Sequence, residues 1–88
     1  MDPLDQLAQA LGVHATTPTE TAEILTIARE VAHTVERRIT PVSTFLLGLS
    51  VQERVGAGAT RADALAAAIA DLRSAMPAPP DRPNEPAE

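Results

Sequence analysis

Apolar residues recur along this chain at spacings of three and four, the repeat of an α-helix with one buried face. No stretch alternates apolar and polar residues as a half-buried strand would. The pattern predicts an all-α fold of four helices. They are a short first helix over Pro3–Leu11, a long second helix from Pro18 to about Arg38, an apolar third helix between Thr40 and Gly56, and an Ala-rich fourth helix from about Arg61 to Ala75.

Short polar signals mark where these helices begin and end. The predicted N-terminal capping residues are Asp2, Thr17, Thr40 and Thr60. The second helix has the strongest signal, because Thr17 and Glu20 are spaced for a reciprocal capping box with Pro18 in the first helical position. Gly12 follows the first helix and is expected to adopt the left-handed conformation that commonly ends a helix.

Three of the helices carry a single apolar stripe, which predicts the side that each one buries. The stripes are Leu4, Leu7, Ala8 and Leu11 in the first helix; Ile24, Ile27, Ala28, Val31 and Val35 in the second; and Ala62, Leu65, Ala66, Ile69, Leu72 and Met76 in the fourth. We therefore expect one compact helical domain over residues 1–76.

The third helix differs because it is apolar on two sides. One side holds Val42, Phe45, Leu46 and Leu49, and the other holds Leu47, Val51 and Val55. Such a helix is normally buried on both sides, so we expect it to be the central element or half of an oligomer interface. The candidate interface residues are Leu47, Gly48, Val51 and Val55. Gly48 lies in mid-helix at a cost of about 1 kcal/mol, which a close approach of another helix would offset.

Composition limits how much core the chain can build. It has 88 residues, one Phe, no Trp and no Tyr, so the core must come from aliphatic residues and Ala. From Pro77 to Glu88 prolines alternate with acidic and polar residues, and this segment is predicted to be a disordered tail. A chain with so small a core would gain stability from a partner surface or from self-association.

Charge and residue usage exclude several function classes. The net charge is −5, there is no Lys, and no basic cluster is longer than Arg37-Arg38, which argues against nucleic acid as a partner. The acidic start of the chain does not resemble a signal peptide, and no apolar run is long enough to cross a membrane. The absence of Cys excludes disulfides and is compatible with the cytoplasm, which is the expected location.

Two sets of polar residues are candidates for function. Glu30 and His33 form a Glu-x-x-His pair of the kind found in di-iron helical bundles, and Glu53 could add a third carboxylate. However, this pair points away from the apolar stripe, whereas metal ligands in such bundles project inward. We therefore predict a solvated helix face, with no metal and no cofactor, and keep a homodimeric metal- or ligand-binding protein as the alternative.

The second set surrounds the turn before the third helix. His33, Glu36, Arg37 and Arg38 form a candidate surface for a partner carboxylate or another anion. The competing interpretation is that cations near the end of the second helix simply complement its dipole. No catalytic set accompanies these residues, since Ser43 has no base or orienting acid assigned to it by sequence. We predict that the protein is not an enzyme.

Residues 28–37 and 41–49 carry a resemblance to a known family. The residues that match its motif are Ala32, His33, Glu36, Arg37, Pro41, Thr44, Phe45 and Gly48. The chain resembles a small actinobacterial helical domain family of unknown function, found alone or beside, or fused to, molybdenum-cofactor guanylyltransferase-like proteins. The resemblance implies an accessory protein-interaction module linked to molybdenum-cofactor biosynthesis or molybdoenzyme maturation. The implied partner is such a guanylyltransferase or a maturation factor, and a homodimer is a further expectation.

Overall fold

A computed structural model describes residues 2–77, and within them the chain is built from α-helices without a strand. The helices are α1 (Pro3–Leu11), α2 (Pro18–Thr34), α3 (Thr40–Gly56) and α4 (Arg61–Ala75), with a 3-10 turn at Arg37–Ile39 before α3. The predicted all-α fold of four helices is confirmed. Apart from Pro77, the predicted disordered tail lies outside the described residues.

Three of the predicted caps have the expected geometry. The Thr17 hydroxyl accepts a hydrogen bond from the Glu20 backbone N–H at 3.1 Å, and the Glu20 carboxylate accepts one from the Thr17 N–H at 3.0 Å. At α1 and α4 the side chains of Asp2 and Thr60 each accept one hydrogen bond from the backbone N–H three residues later, at 2.9 and 3.1 Å. Gly12 ends α1 with φ of +73°. Local polar spacing therefore determines where α1, α2 and α4 begin.

The end of α2 was predicted wrongly, because the helix stops at Thr34 rather than near Arg38. Thr34 and Val35 are β-branched, and the Thr34 hydroxyl donates to the Glu30 carbonyl at 2.8 Å, which weakens the regular helix. The N–H groups of Val35 and Glu36 both donate to the Val31 carbonyl, and Glu36 is extended. The arginines at 37 and 38 consequently belong to the turn, outside the helix.

The predicted capping role of Thr40 was also wrong. Thr40 is the first residue of α3, Ile39 takes the cap position, and no side chain caps this helix. The Thr40 hydroxyl instead donates to the Glu36 carbonyl at 3.4 Å. The 3-10 turn runs directly into α3, so there is no extended residue from which a hydroxyl could cap the helix.

The core lies where α2, α3 and α4 meet. Its buried cluster is Ile27, Leu47, Leu65, Ala68 and Ile69, with Ile24, Val51, Leu72 and Met76 packed around it. The stripe predicted for α4 is wrong at Ala62 and Ala66, which are exposed, while Ala64 and Ala68 are buried. Ala occurs on every side of α4, so its position in the sequence could not show which side faces α3.

Helix α1 stands apart from this three-helix body. No Cα atom of α1 lies within 8 Å of a Cα atom of another helix. Leu4, Leu7 and Leu11 are exposed, and Leu7 retains 63% of its accessible surface. The apolar stripe of α1 is therefore present as predicted: Ala8 is buried, whereas no other helix of the described chain covers the three leucines.

Gly48 does not mark a close helix–helix approach within the single chain, and its predicted place in an oligomer interface stays a prediction. A Cβ atom built at Gly48 would meet nothing within 4 Å. Its place in mid-helix therefore costs backbone entropy without a packing gain in the monomer.

We predict that Gly48→Ala stabilises the protein by about 0.5–1 kcal/mol, because it lowers the entropy of the unfolded chain and fills open space. Urea unfolding monitored by helical circular dichroism measures the change. A destabilised variant would show that Gly48 is needed for a contact that the monomer does not contain.

Candidate interaction surface

The most prominent surface of the body is the exposed apolar side of α3. Val42, Phe45, Leu46 and Leu49 occupy it, and we call these four residues the outer face of α3. Phe45, the single aromatic residue of the chain, retains 65% of its accessible surface. Scattered exposed hydrophobic residues are common, but a group at helical spacing on one face is characteristic of a protein-interaction site.

The interface predicted from sequence lies on the other side of α3. Leu47 is buried in the core and Val51 packs against it, while Val55 is half-buried. Since α2 and α4 cover most of Leu47 and Val51, these two residues reach the surface only in a groove, while Gly48 is exposed. In the single chain α3 is buried on one side only, and burial of its other side in an oligomer stays a prediction.

The predicted polar surface is exposed and lies at the start of α3. His33, Glu36, Arg37 and Arg38 are all exposed. Arg38 Nε lies 3.3 Å from Glu36 Oε1, an ion pair that contributes little stability because both side chains are in solvent. Glu36, Arg37 and Arg38 lie immediately before the outer face of α3, and we call these three residues the basic corner.

The helix-dipole interpretation of these arginines does not fit the geometry. Since α2 ends at Thr34, Arg37 and Arg38 lie beyond its last turn, where the dipole effect has faded. They directly precede the N-terminus of α3, whose partial charge is positive, so the dipole of α3 disfavours them there. A negatively charged group bound at this corner would offset the repulsion between the two arginines and the positive end of the α3 dipole.

We predict that His33→Ala changes the free energy of unfolding by no more than about 0.5 kcal/mol, because His33 is exposed as its position in α2 indicated. Denaturant unfolding of the variant and of the parent protein provides the comparison. A loss above about 2 kcal/mol would place His33 in a packed or bonded position.

Glu30, the other half of the Glu-x-x-His pair, has a partner that the sequence did not show. Its two carboxylate oxygens accept hydrogen bonds from Arg73 of α4 at 2.8 and 2.9 Å. This hydrogen bond raises the pKa of Arg73. Among residues 2–77, no group of three or more His, Cys, Asp or Glu side chains could hold a metal, and Glu53 stands apart on α3. The metal-binding alternative gains no support from this arrangement.

Sequence reasoning also missed a groove beside the linker between α1 and α2. It has a volume of about 340 Å³ and an apolar lining from Ile24, Leu47, Val51 and Leu65. At its rim, Arg61 lies 3.2 Å from Glu20 Oε1 and donates to the His14 carbonyl at 3.1 Å. The capping pattern had indicated Glu20 only as a helix-start residue. Its ion pair with Arg61 could not be found from sequence, because Arg61 is distant along the chain.

These features define a class: a small all-α domain that presents an apolar helix face with a basic corner at its end. The chain belongs to the family described as "Domain of unknown function (DUF6457)", whose sequence profile matches residues 3–83. No curated protein and no solved structure matches the chain. In the part of the chain that the structure describes, no helix has the length and apolar character needed to span a membrane.

Proposed function

We propose that this protein is a non-catalytic accessory module that binds a protein partner through the outer face of α3. The observation that carries the proposal is the exposure of Phe45 and its three apolar neighbours on one side of a helix whose other side is packed in the core. Burial of these side chains would supply most of the binding free energy, since apolar burial contributes about 25 cal/mol per Å².

The basic corner would set the orientation of the partner. Arg37 and Arg38 lie one turn before Val42, at the edge of the apolar surface. Charged groups at the rim of an interface mainly affect association rate and register rather than affinity. A partner that places a carboxylate against this corner and apolar side chains against the outer face would satisfy both parts of the surface.

The partner that we propose is a molybdenum-cofactor guanylyltransferase or a molybdoenzyme maturation factor, with the cytoplasm as the location. This choice is supported by the resemblance of residues 28–37 and 41–49, which include His33, Arg37 and Phe45. Three of the matching positions, His33, Glu36 and Arg37, lie in or next to the basic corner, and Phe45 lies on the outer face. The motif and the candidate surface therefore overlap.

The test is binding of the purified full chain to a purified guanylyltransferase from the same cell, measured by isothermal titration calorimetry. We expect Phe45→Asp to weaken binding by at least about a hundredfold, which corresponds to about 2.7 kcal/mol. Leu25→Asp is the matched control, because Leu25 is exposed to a similar degree, 58%, but lies on α2. Equal binding by the parent and Phe45→Asp proteins would reject the outer face, and no heat with the parent protein would reject this partner.

A further inference from the structure

Helix α1 and the outer face of α3 match each other in spacing. Leu4, Leu7 and Leu11 follow one another at three and four residues, as Val42, Phe45 and Leu49 do. Both surfaces are exposed within the described chain. A helix of nine residues is marginal in water by itself, so α1 needs an apolar partner to remain helical. We propose that α1 packs on the outer face of α3 in a second copy of this chain, reciprocally, to form a two-fold dimer.

Charge selects the direction of this packing. Asp2 and Asp5 lie at the start of α1, and the first arginine of the chain is Arg29. In a parallel arrangement that aligns Leu4 with Val42, Asp2 comes within an axial offset of about 3–5 Å of Arg38 and Arg37, and Asp5 within about 8–9 Å, at 1.5 Å per residue. An antiparallel arrangement would bring them beside the exposed Glu53 instead. Opposite charges favour the parallel arrangement and like charges disfavour the antiparallel one.

The linker explains why the partner is a second copy. Val13 N–H donates to the Ala8 carbonyl at 3.0 Å, which fixes the chain where it leaves α1. Arg61 donates to the His14 carbonyl at 3.1 Å, which fixes the next residue to the body. With both ends of this short connection held, α1 does not pack on its own α3, and no Cα atom of α1 lies within 8 Å of α3.

The area is sufficient for a weak dimer. The surfaces comprise Leu4, Leu7, Leu11, Val42, Phe45, Leu46 and Leu49. At about half exposure, these side chains would together bury roughly 200–400 Å² of apolar surface per protomer, taking about 60–120 Å² for complete burial of each. With the usual polar share, the dimer interface reaches roughly 700–1,400 Å², at the lower end of the range for specific complexes. Interfaces of this size are typical of weak association, so we expect a dimer that dissociates on dilution.

Sedimentation velocity of the full chain over micromolar concentrations tests the proposal. We expect a reversible species of twice the 9.2 kDa chain mass. Leu7→Asp should weaken the dimer by at least about tenfold, because it places a carboxylate in the apolar contact. Leu25→Asp is the control with similar exposure on α2, and it should dimerise as the parent does. Cooperative thermal unfolding at a concentration where the parent protein is monomeric would show that both variants fold.

Charge reversal tests the register. Asp5→Arg and Arg38→Glu should each weaken the dimer, and the double variant should recover part of the loss. A parent protein that is monomeric at every concentration, or a dimer that is indifferent to Leu7→Asp, would overturn the proposal. A double variant weaker than either single variant would overturn the parallel arrangement.

This inference rests on the outer face as the docking surface of the proposed function, but the two can fail separately. The Leu7→Asp variant keeps the outer face intact, so we expect it to bind the guanylyltransferase. Because it does not dimerise, no second copy competes for the outer face. A monomeric parent protein that binds the enzyme would refute the dimer alone. A dimer that does not bind the enzyme would refute the proposed partner alone. Loss of both activities in Phe45→Asp is the result expected when both proposals hold.

Discussion

Ile27→Ala is expected to destabilise the protein by about 2–5 kcal/mol, through lost apolar burial and the cavity left behind. Ile27 retains only 2% of its accessible surface and lies in the cluster that joins α2, α3 and α4. A chain of 88 residues typically has a total stability of roughly 4–13 kcal/mol. The substitution therefore removes a large fraction of the free energy of unfolding, because the core is small and has no aromatic residue to compensate.

Urea unfolding of the full chain, followed by helical circular dichroism, measures this loss. Leu25→Ala is the control, since Leu25 lies two residues away on the same helix and is exposed. It should change stability by no more than about 0.5 kcal/mol, because little apolar surface becomes newly exposed there. If the two variants lost equal stability, α2 would not bury the side that contains Ile27.

The beginnings of helices were predictable because their signals are local. The hydroxyl of Thr17 and the carboxylate of Glu20 are three residues apart, and only the first turn of a helix brings both onto backbone N–H groups. The same reasoning failed at Thr40, because the preceding 3-10 turn occupies the cap position. The end of α2 was missed because apolar periodicity continues through Val35 while the backbone leaves the helix.

The candidate site was harder to predict, because it depends on which surfaces remain uncovered. Sequence showed correctly that α3 has two apolar sides, but periodicity contains no information about how many partners are present. The packing of α2 and α4 against α3 buries Leu47 and leaves Phe45 exposed. The basic corner was recognised in the sequence as a cluster of charged residues. Its separation from the C-terminus of α2 became clear only when the structure showed that α2 ends at Thr34.

Two unpartnered apolar helix surfaces in one small chain impose a common physical requirement. The exposed leucines of α1 and the outer face of α3 both gain free energy when covered. A second copy can cover both at once, whereas a different protein that binds the outer face leaves α1 exposed. Self-association and partner binding would consequently compete for α3, and the concentration of the chain would influence how much outer face is available.

Glu20→Ala is expected to cost about 2 kcal/mol, because the Glu20 carboxylate has 8% exposure, one hydrogen bond from the Thr17 N–H and one ion pair with Arg61. The variant leaves the Thr17 N–H without its acceptor at the start of α2 and leaves Arg61 without its counter-charge. The share from the ion pair is small, since Arg61 is partly exposed and solvent screens the interaction. Most of the lost stability therefore comes from the Thr17 N–H, which no longer has an acceptor at the start of α2.

Two further variants separate these contributions in the same urea experiment. Glu20→Gln keeps an oxygen for the Thr17 N–H but removes the charge, so it should lose well under half as much stability as Glu20→Ala. Glu23→Ala, an exposed glutamate on the same helix, should remain within about 0.5 kcal/mol of the parent protein. Equal losses from Glu20→Gln and Glu20→Ala would show that the charge on Arg61, rather than the cap, makes Glu20 necessary. In that case the main stabilising contact at this end of the fold would be the hydrogen bond from Arg61 of α4 to the His14 carbonyl in the linker.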